Sequence, residues 1–176
     1  MSPLTYSISP ATDQSGSAIG ALIADVFGEY ENCPFIPEEF TELNSVSTFY
    51  RAKRGEIWIA IDNNGVLVGC LALIPNDSVG TFEIFKVYVA RTARGTGLAQ
   101  ELYNTGLLWG EERGLKRLRL WTDTRFASGH RFYEKLGFTK QPVIRYLGDA
   151  AESWEYLYLC NNPTLALKAR LDRRSS

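Results

Sequence analysis

The sequence predicts a mixed α/β fold: a largely antiparallel sheet of about seven strands flanked by four helices. Three observations carry that reading. Apolar segments at 56–62 and 66–74 flank Asn63-Asn64-Gly65, a strong hairpin signal, so pairing in the first half is antiparallel. From residue 82 the chain reads strand, helix, strand, helix, strand, and such steps imply parallel pairing there. The 176 residues, 45% apolar and 22% charged, make one domain with enough apolar surface for a real core, which excludes a disordered or collagen-like chain.

Each element has its own signal. LTYSISP (4–10) is a short strand ended by Pro10. Residues 14–27 place Ile19, Leu22, Ile23 and Val26 at helical spacing. After the loop GEYENCPFIP (28–37), Pro37 stands where a first helical turn starts, and Glu38 and Glu39 favour the positive helix end. Phe40, Leu43 and Phe49 or Tyr50 give this second helix its apolar face. EIWIAID, VLVGCLALI and FEIFKVYVA (82–90) are strands, the last rich in aromatic and branched residues. Thr96 to Arg113 is helical, with Leu98, Leu102 and Trp109 on one side and Gly114 as its stop. KRLRLWT (116–122) is a strand. The helix at 127–136 turns Gly129, Phe132, Tyr133 and Leu136 inward and closes at Gly137, and strands at 138–147 and 153–160 complete the domain, 1–162. The tail, 163–176, is short and basic, with a net charge of +3; it is either a solvated end or a helix that docks on a partner subunit.

Several function classes are excluded. Nineteen Lys and Arg against 20 Asp and Glu leave no basic excess of the kind nucleic-acid binders show. Cys33, Cys70 and Cys160 are scattered and odd in number, so neither a disulfide scaffold nor a zinc knuckle is expected, and a single histidine, His130, leaves no His-rich metal site. MSPLTYSISP has neither the basic start nor the apolar stretch of a signal peptide, and the longest apolar segment, near Val66 to Pro75, is far short of a membrane span. A cytoplasmic protein without membrane or nucleic-acid partners is the expectation.

The most informative stretch is VYVARTARGTGLAQEL (87–102). A strand runs into Arg94-Gly95-Thr96-Gly97-Leu98-Ala99 and directly into a helix. The glycines permit a tight turn whose N–H groups converge, and the helix start adds free donors and partial positive charge. Together they make an anion site suited to a diphosphate, with Arg91 and Arg94 adding charge nearby. A phosphate-binding P-loop needs Lys and Ser or Thr after its last glycine, and Leu98-Ala99 stands there. The dinucleotide fingerprint needs a third glycine where Gln100 stands.

What survives is Arg94-x-x-Gly97-x-Ala99, followed about thirty residues later by His130-Arg131 and FYEKLGF (132–138). In these two strings, in their order, and in the order of elements over about residues 4–160, the chain resembles the GNAT superfamily of N-acetyltransferases. The resemblance implies a parallel strand pair around an acyl-CoA cleft. It implies that Val87, Tyr88 and Val89 pair with the pantetheine arm of acetyl-CoA. It further implies that the turn opened by Arg94, from Gly95 through Thr96, Gly97, Leu98 and Ala99 to Gln100, holds the diphosphate. The family often has Asn where this chain has Phe126, so a polar contact to the cofactor arm is missing or replaced there.

Attack on a thioester needs an uncharged amine, N–H donors for the oxyanion and a proton for the departing sulfur. Tyr133 matches the family tyrosine proposed to protonate sulfur; its alternative is ordinary packing on the buried face of its helix. Glu83 is the candidate base: it alternates with Phe85, Val87 and Val89, so all four share one face, and a carboxylate among apolar neighbours is poised to take a proton. A water chain is the other route. The oxyanion donor is the backbone N–H of Val89 or a neighbour. Helical spacing sets His130 with Arg131, Glu134 and Lys135 on an outer face, away from the chemistry.

The implied acceptor pocket lies around the first two helices, their loop and the last strands. Glu29, Tyr30, Glu31, Asn32, Cys33, Phe35, Glu38 and Glu39 suit a cationic amine or are simply a solvated acidic loop. Trp121 to Arg125 lines the acyl site, caps the next helix, or carries a surface pair of Asp123 with Arg125. The implied enzyme transfers acetyl from acetyl-CoA to a primary amine of a small molecule or peptide by direct attack in a ternary complex. The alternatives are a non-catalytic acyl-CoA-binding module and a protein-interaction module. Family habit adds a homodimer.

Overall fold

The computed structural model describes residues 5–166. Seven strands form one sheet: β1 (Tyr6–Pro10), β2 (Glu56–Asp62), β3 (Leu67–Pro75), β4 (Thr81–Val89), β5 (Arg117–Asp123), β6 (Thr139–Tyr146) and β7 (Trp154–Cys160). Four helices flank it: α1 (Gly16–Phe27), α2 (Val46–Ala52), α3 (Leu98–Glu111) and α4 (Ala127–Lys135). The charged residues of the predicted basic tail, from Lys168 on, lie outside the described residues.

The sheet order is β1-β2-β3-β4-β5-β7-β6. The hairpin of β2 and β3 is antiparallel, and Asp62 Oδ1 accepts from the amides of Asn64 and Val66 to hold its turn. Among the described strands, only β4 and β5 pair in parallel. The strand-helix-strand step from β5 through α4 to β6 does not give a second parallel pair, because β7 inserts between them and pairs antiparallel with both.

Alternation along β2 and β3 divides the core. Ile57, Ile59, Cys70 and Ala72 face α1 and α2, packing on Ile19, Ile23, Val46 and Tyr50. Trp58, Ala60, Leu71 and Leu73 face α3, packing on Leu98, Leu102 and Leu107. The second helix begins at Val46 rather than Pro37: Pro37–Glu39 and Thr41–Ser45 are separate 3-10 turns. Phe40, between them, leaves helical geometry (φ −123°, ψ 45°) and packs its ring against Phe27 and Phe35.

One irregularity matters for function. Cys70 pairs with Tyr88 and Ala72 with Phe85, so β4 holds one residue more than β3 across that interval. Lys86 takes up the extra residue in a left-handed conformation (φ 54°), a β-bulge that shifts the facing of every residue after it.

Candidate active site

Beyond Ile84 and Leu120 the parallel pair ends. β4 continues to Val89 against β3, and β5 continues to Asp123 against β7, leaving their facing edges apart. The ladder also fixes which amides face the gap. Ala90 N donates to Val68 O at 2.8 Å, so the alternation of an antiparallel pair turns the Val89 N–H away from β3 toward the open side.

At the head of the gap, Gly95 and Gly97 take φ of 76° and 96°, values that side chains disfavour. The turn they form leads straight into α3. The amides of Gly95, Thr96, Gly97, Ala99 and Gln100 meet no acceptor among the described residues, and Leu98 N has only a long contact to Thr96 Oγ1 at 3.4 Å. Thr96 spends its hydroxyl internally, donating to Ala93 O at 2.7 Å.

A cleft of about 460 Å³ runs along the gap. Its walls include Val87, Tyr88, Val89, Arg94, Gly95, Gly97, Leu98, Ala99, Gln100, Phe126 and Tyr133; Thr96 is absent from them. Arg94 is not the free cation the sequence suggested. Glu29 grips both its Nη atoms at 2.7 Å, and its Nε donates to Val89 O at 3.2 Å. Those hydrogen bonds hold the Glu29 carboxyl below its usual range. The cations that sequence reasoning missed are Arg131 and Lys135, which line the cleft from α4. Their spacing of four sets them on one helix side, but the same spacing fits a plain solvent-facing side equally well.

A second cavity, of about 300 Å³, adjoins the cleft and shares Val87, Tyr88, Thr122, Phe126 and Tyr133 with it. Phe126 packs its ring against Tyr30 at 4.8 Å and Phe27 at 6.0 Å, so the wall it forms is aromatic. Tyr133 is 8% exposed, and burial raises its phenol above the ordinary tyrosine range. No described residue hydrogen-bonds its hydroxyl, and Tyr133 lines both cavities.

Glu83 lines the second cavity, but two expectations about it change. The bulge at Lys86 leaves Glu83 and Phe85 on the α1–α2 side with Tyr88, while Val87 and Val89 pack on the opposite core. Its surroundings are also not purely apolar: Arg119, its register partner on β5, donates through Nε to Oε2 at 2.5 Å.

Further carboxylates line this cavity: Glu39, Asp123, Asp149 and Glu155, with Lys86 and Arg145. Most are paired. Arg145 meets Glu155 at 2.7 Å, Arg125 meets Asp123 at 2.6 Å, and Lys86 meets Glu42 at 2.6 Å. Burial raises the Glu155 carboxyl despite Arg145. Burial also pushes on Asp123, but the hydrogen bonds from Arg125 outweigh it and hold that carboxyl low. Glu39 and Asp149 have only backbone donors, Ala150 N at 2.8 Å and Ser153 N at 2.7 Å.

Of the loop residues singled out in the sequence, Glu39 reaches this cavity, Glu29 is taken by Arg94 and Tyr30 lines the cleft instead. His130 lies in neither wall. It turns toward the sheet rather than outward, with Nε2 2.9 Å from Asp123 O and its ring stacked on Tyr158. All three thiols are buried, and burial raises each, Cys70 to about 12, so none is a ready nucleophile. No described helix is long and apolar enough to cross a membrane.

Comparison with known proteins bears on this geometry. A model of the acetyltransferase (GNAT) family matches residues 23–138. A mycothiol acetyltransferase of Salinispora tropica is 33% identical over 101 residues, covering 51% of this chain and 33% of that protein. One from Thermobispora bispora is 39% identical over 61 residues, covering 35% and 21%. The alignments thus span a third or less of those relatives. Among solved structures, a GNAT-family acetyltransferase from Staphylococcus aureus Mu50 superposes with a TM-score of 0.76 at 20% identity, covering 89% of this chain and 99% of that one. Nourseothricin acetyltransferase superposes with a TM-score of 0.68 at 18% identity, covering 90% and 99%. At such identities the likeness is one of fold.

Proposed function

This chain belongs to the GNAT family of acetyltransferases, and from that premise we propose that it moves an acetyl group from acetyl-CoA to a primary amine of a small molecule or peptide. The observation that carries the reading is the row of unclaimed amides at 95–100, set at the head of a gap between parallel strands. Gly97, Ala99 and Gln100 are half-buried, where N–H groups are rarely left without acceptors, and a diphosphate fits the set they form with the exposed Gly95 and Thr96. Arg131 and Lys135 supply the countercharge that Arg94, held by Glu29, does not.

Acetyl-CoA brings an activated thioester carbonyl. The chain's own groups do the rest. The edge of β4 left free by β5 orients the pantetheine arm as an added strand. The Val89 N–H, turned into the gap, donates to the carbonyl oxygen as it gains charge. Glu83, on the acceptor side, takes the proton of the incoming ammonium directly or through water. Tyr133, between the two cavities, holds a proton for the departing sulfur.

The second cavity supports a cationic acceptor. Four of the carboxylates in and around it are matched by Arg119, Arg125, Arg145 and Lys86, while Glu39 and Asp149 form no salt bridge among the described residues. The net charge left over is negative; Lys86 and Arg145 already lie over the Phe40 and Trp121 rings at 4.4 and 4.2 Å, so the unmatched carboxylates carry the attraction for an ammonium.

The test is a free-thiol release assay with acetyl-CoA against amines, amino acids, aminoglycosides and peptides, alongside thermal unfolding with and without acetyl-CoA. Turnover with at least one cationic amine, and a clear rise in Tm with acetyl-CoA, are expected. A Tm shift without turnover on any acceptor refutes the enzymatic reading, and no shift at all refutes the cleft.

A further inference from the structure

Arg125 uses every hydrogen-bond donor it has. A guanidinium carries five N–H groups in a fixed plane. Here Nε reaches Asp123 Oδ1 at 2.9 Å, and Nη2 reaches Asp123 Oδ2 at 2.6 Å and Ser153 Oγ at 2.8 Å. Nη1 reaches Asn32 O at 2.8 Å and Ala151 O at 3.3 Å. Three distant segments meet on this one side chain: the end of β5, the loop after α1 and the loop before β7.

Those segments are walls of the second cavity. Pro34 follows Asn32, and Asp123, Asp149, Ala151 and Ser153 all line it. Arg125 itself lies behind that lining. Asn32 is held in a left-handed conformation (φ 54°), which aims its carbonyl at the guanidinium. None of the residues that Arg125 contacts lines the cleft at 95–100, although their neighbours Thr122 and Phe126 line both cavities.

We propose that Arg125 is a positioning residue that locks the two loops around the acceptor cavity, setting acceptor affinity without touching the acyl donor. The acceptor part of this inference rests on the proposed function; the locking part does not. Lysine at this position keeps the charge toward Asp123 but has one nitrogen in place of a planar fork, so it cannot hold three segments together.

Cys33 gives a readout that needs no acceptor. It adjoins Asn32, is 6% exposed, and belongs to the loop that Arg125 ties down. With Arg125→Lys and Arg125→Ala, labelling of the native protein by the aromatic disulfide DTNB should gain a phase at least tenfold faster than in the parent, and Cys33→Ser should abolish it. The Tm rise given by acetyl-CoA should be unchanged. With the most active amine of the acceptor panel, KM for the amine should rise at least tenfold, while KM for acetyl-CoA stays within twofold and kcat falls less than KM rises. Unchanged Cys33 labelling in Arg125→Lys overturns the locking role. Faster labelling with an unchanged acceptor KM overturns the acceptor role. A panel on which the parent enzyme is inactive refutes the proposed function instead, and the labelling then decides the lock alone. If Arg125→Ala does not fold, Arg125→Lys carries each of these comparisons.

Discussion

Arg119 Nε and Nη2 both stand 2.5 Å from the same oxygen of Glu83, Oε2, across the only parallel pair among the described strands. Glu83 is 7% exposed, so the pair is largely removed from water on the carboxylate's side. Oε2 is therefore occupied, and a proton leaving an acceptor amine must arrive at Oε1, which no described residue engages. Glu83→Gln keeps the shape and removes the proton acceptor. If Glu83 is the base, kcat falls by about 10²-fold, within the usual contribution of a positioned base, and the Tm shift with acetyl-CoA persists. A kcat within twofold of the parent transfers the role to a water chain.

Tyr133→Phe tests the other end of proton transfer. The ring packs against Phe132, Phe138 and Tyr158, and phenylalanine keeps those contacts. The hydroxyl has no described partner to lose, so stability should change by less than about 0.5 kcal/mol, as for substitutions that open no cavity. A phenol is protonated at neutral pH and can donate to the departing sulfur, so its loss should lower kcat by about tenfold or more. Steady-state kinetics with urea unfolding on the same samples separates the two effects.

The sequence exposed some features of this site and concealed others for physical reasons. The turn at 94–100 is legible because its glycines answer to local backbone geometry. The facing of Val87 and Val89 is not, because the bulge at Lys86 arises from register with β3, a partner distant in sequence. The insertion of β7 between β5 and β6 is likewise a tertiary choice that strand patterns do not record. Glu29 neutralises Arg94 across 65 residues, a pairing that local spacing cannot announce. The amphipathic pattern of α4 marks Tyr133 as buried, but it sets His130 outward, where the structure stacks that ring on Tyr158. It did not show that a cleft runs along its flank beside Arg131 and Lys135. Asp123 and Arg125 are two apart and suggested a pair, but the three-segment junction they form depends on loops brought in from both ends of the chain.

Gly97→Ala probes the amide row. Nothing crowds the position, since a Cβ there meets only Gln100 Oε1 at 3.7 Å. The penalty comes from φ of 96°, which costs a side-chain-bearing residue about 1–2 kcal/mol. Relaxing that strain rotates the peptide units on either side, and the unclaimed N–H groups no longer converge. KM for acetyl-CoA should rise by tenfold or more, with acceptor KM little changed. Equal binding of acetyl-CoA by parent and variant, read by calorimetry, removes the turn from the donor site.

Glu29 and Arg94 join the loop after α1 to the glycine turn, with two contacts at 2.7 Å. The hydrogen bonds from Arg94 lower the Glu29 carboxyl relative to the unfolded chain, where a glutamate titrates near about 4.3. A depressed folded-state value means that the folded form binds the proton less readily. The pair's contribution is therefore present above about pH 4.3 and is lost as pH falls through the lower folded-state value. Both side chains are partly open to solvent, 38% for Arg94 and 26% for Glu29, so screening limits the pair to about 0.5–1 kcal/mol. Glu29→Gln should lower the urea-unfolding free energy by that amount at pH 7. The difference from the parent should narrow steadily toward pH 3, and it should shrink at pH 7 when salt is raised to 1 M. A gap that stays constant from pH 7 to pH 3 shows that the substitution acts through packing and that the ion pair contributes nothing.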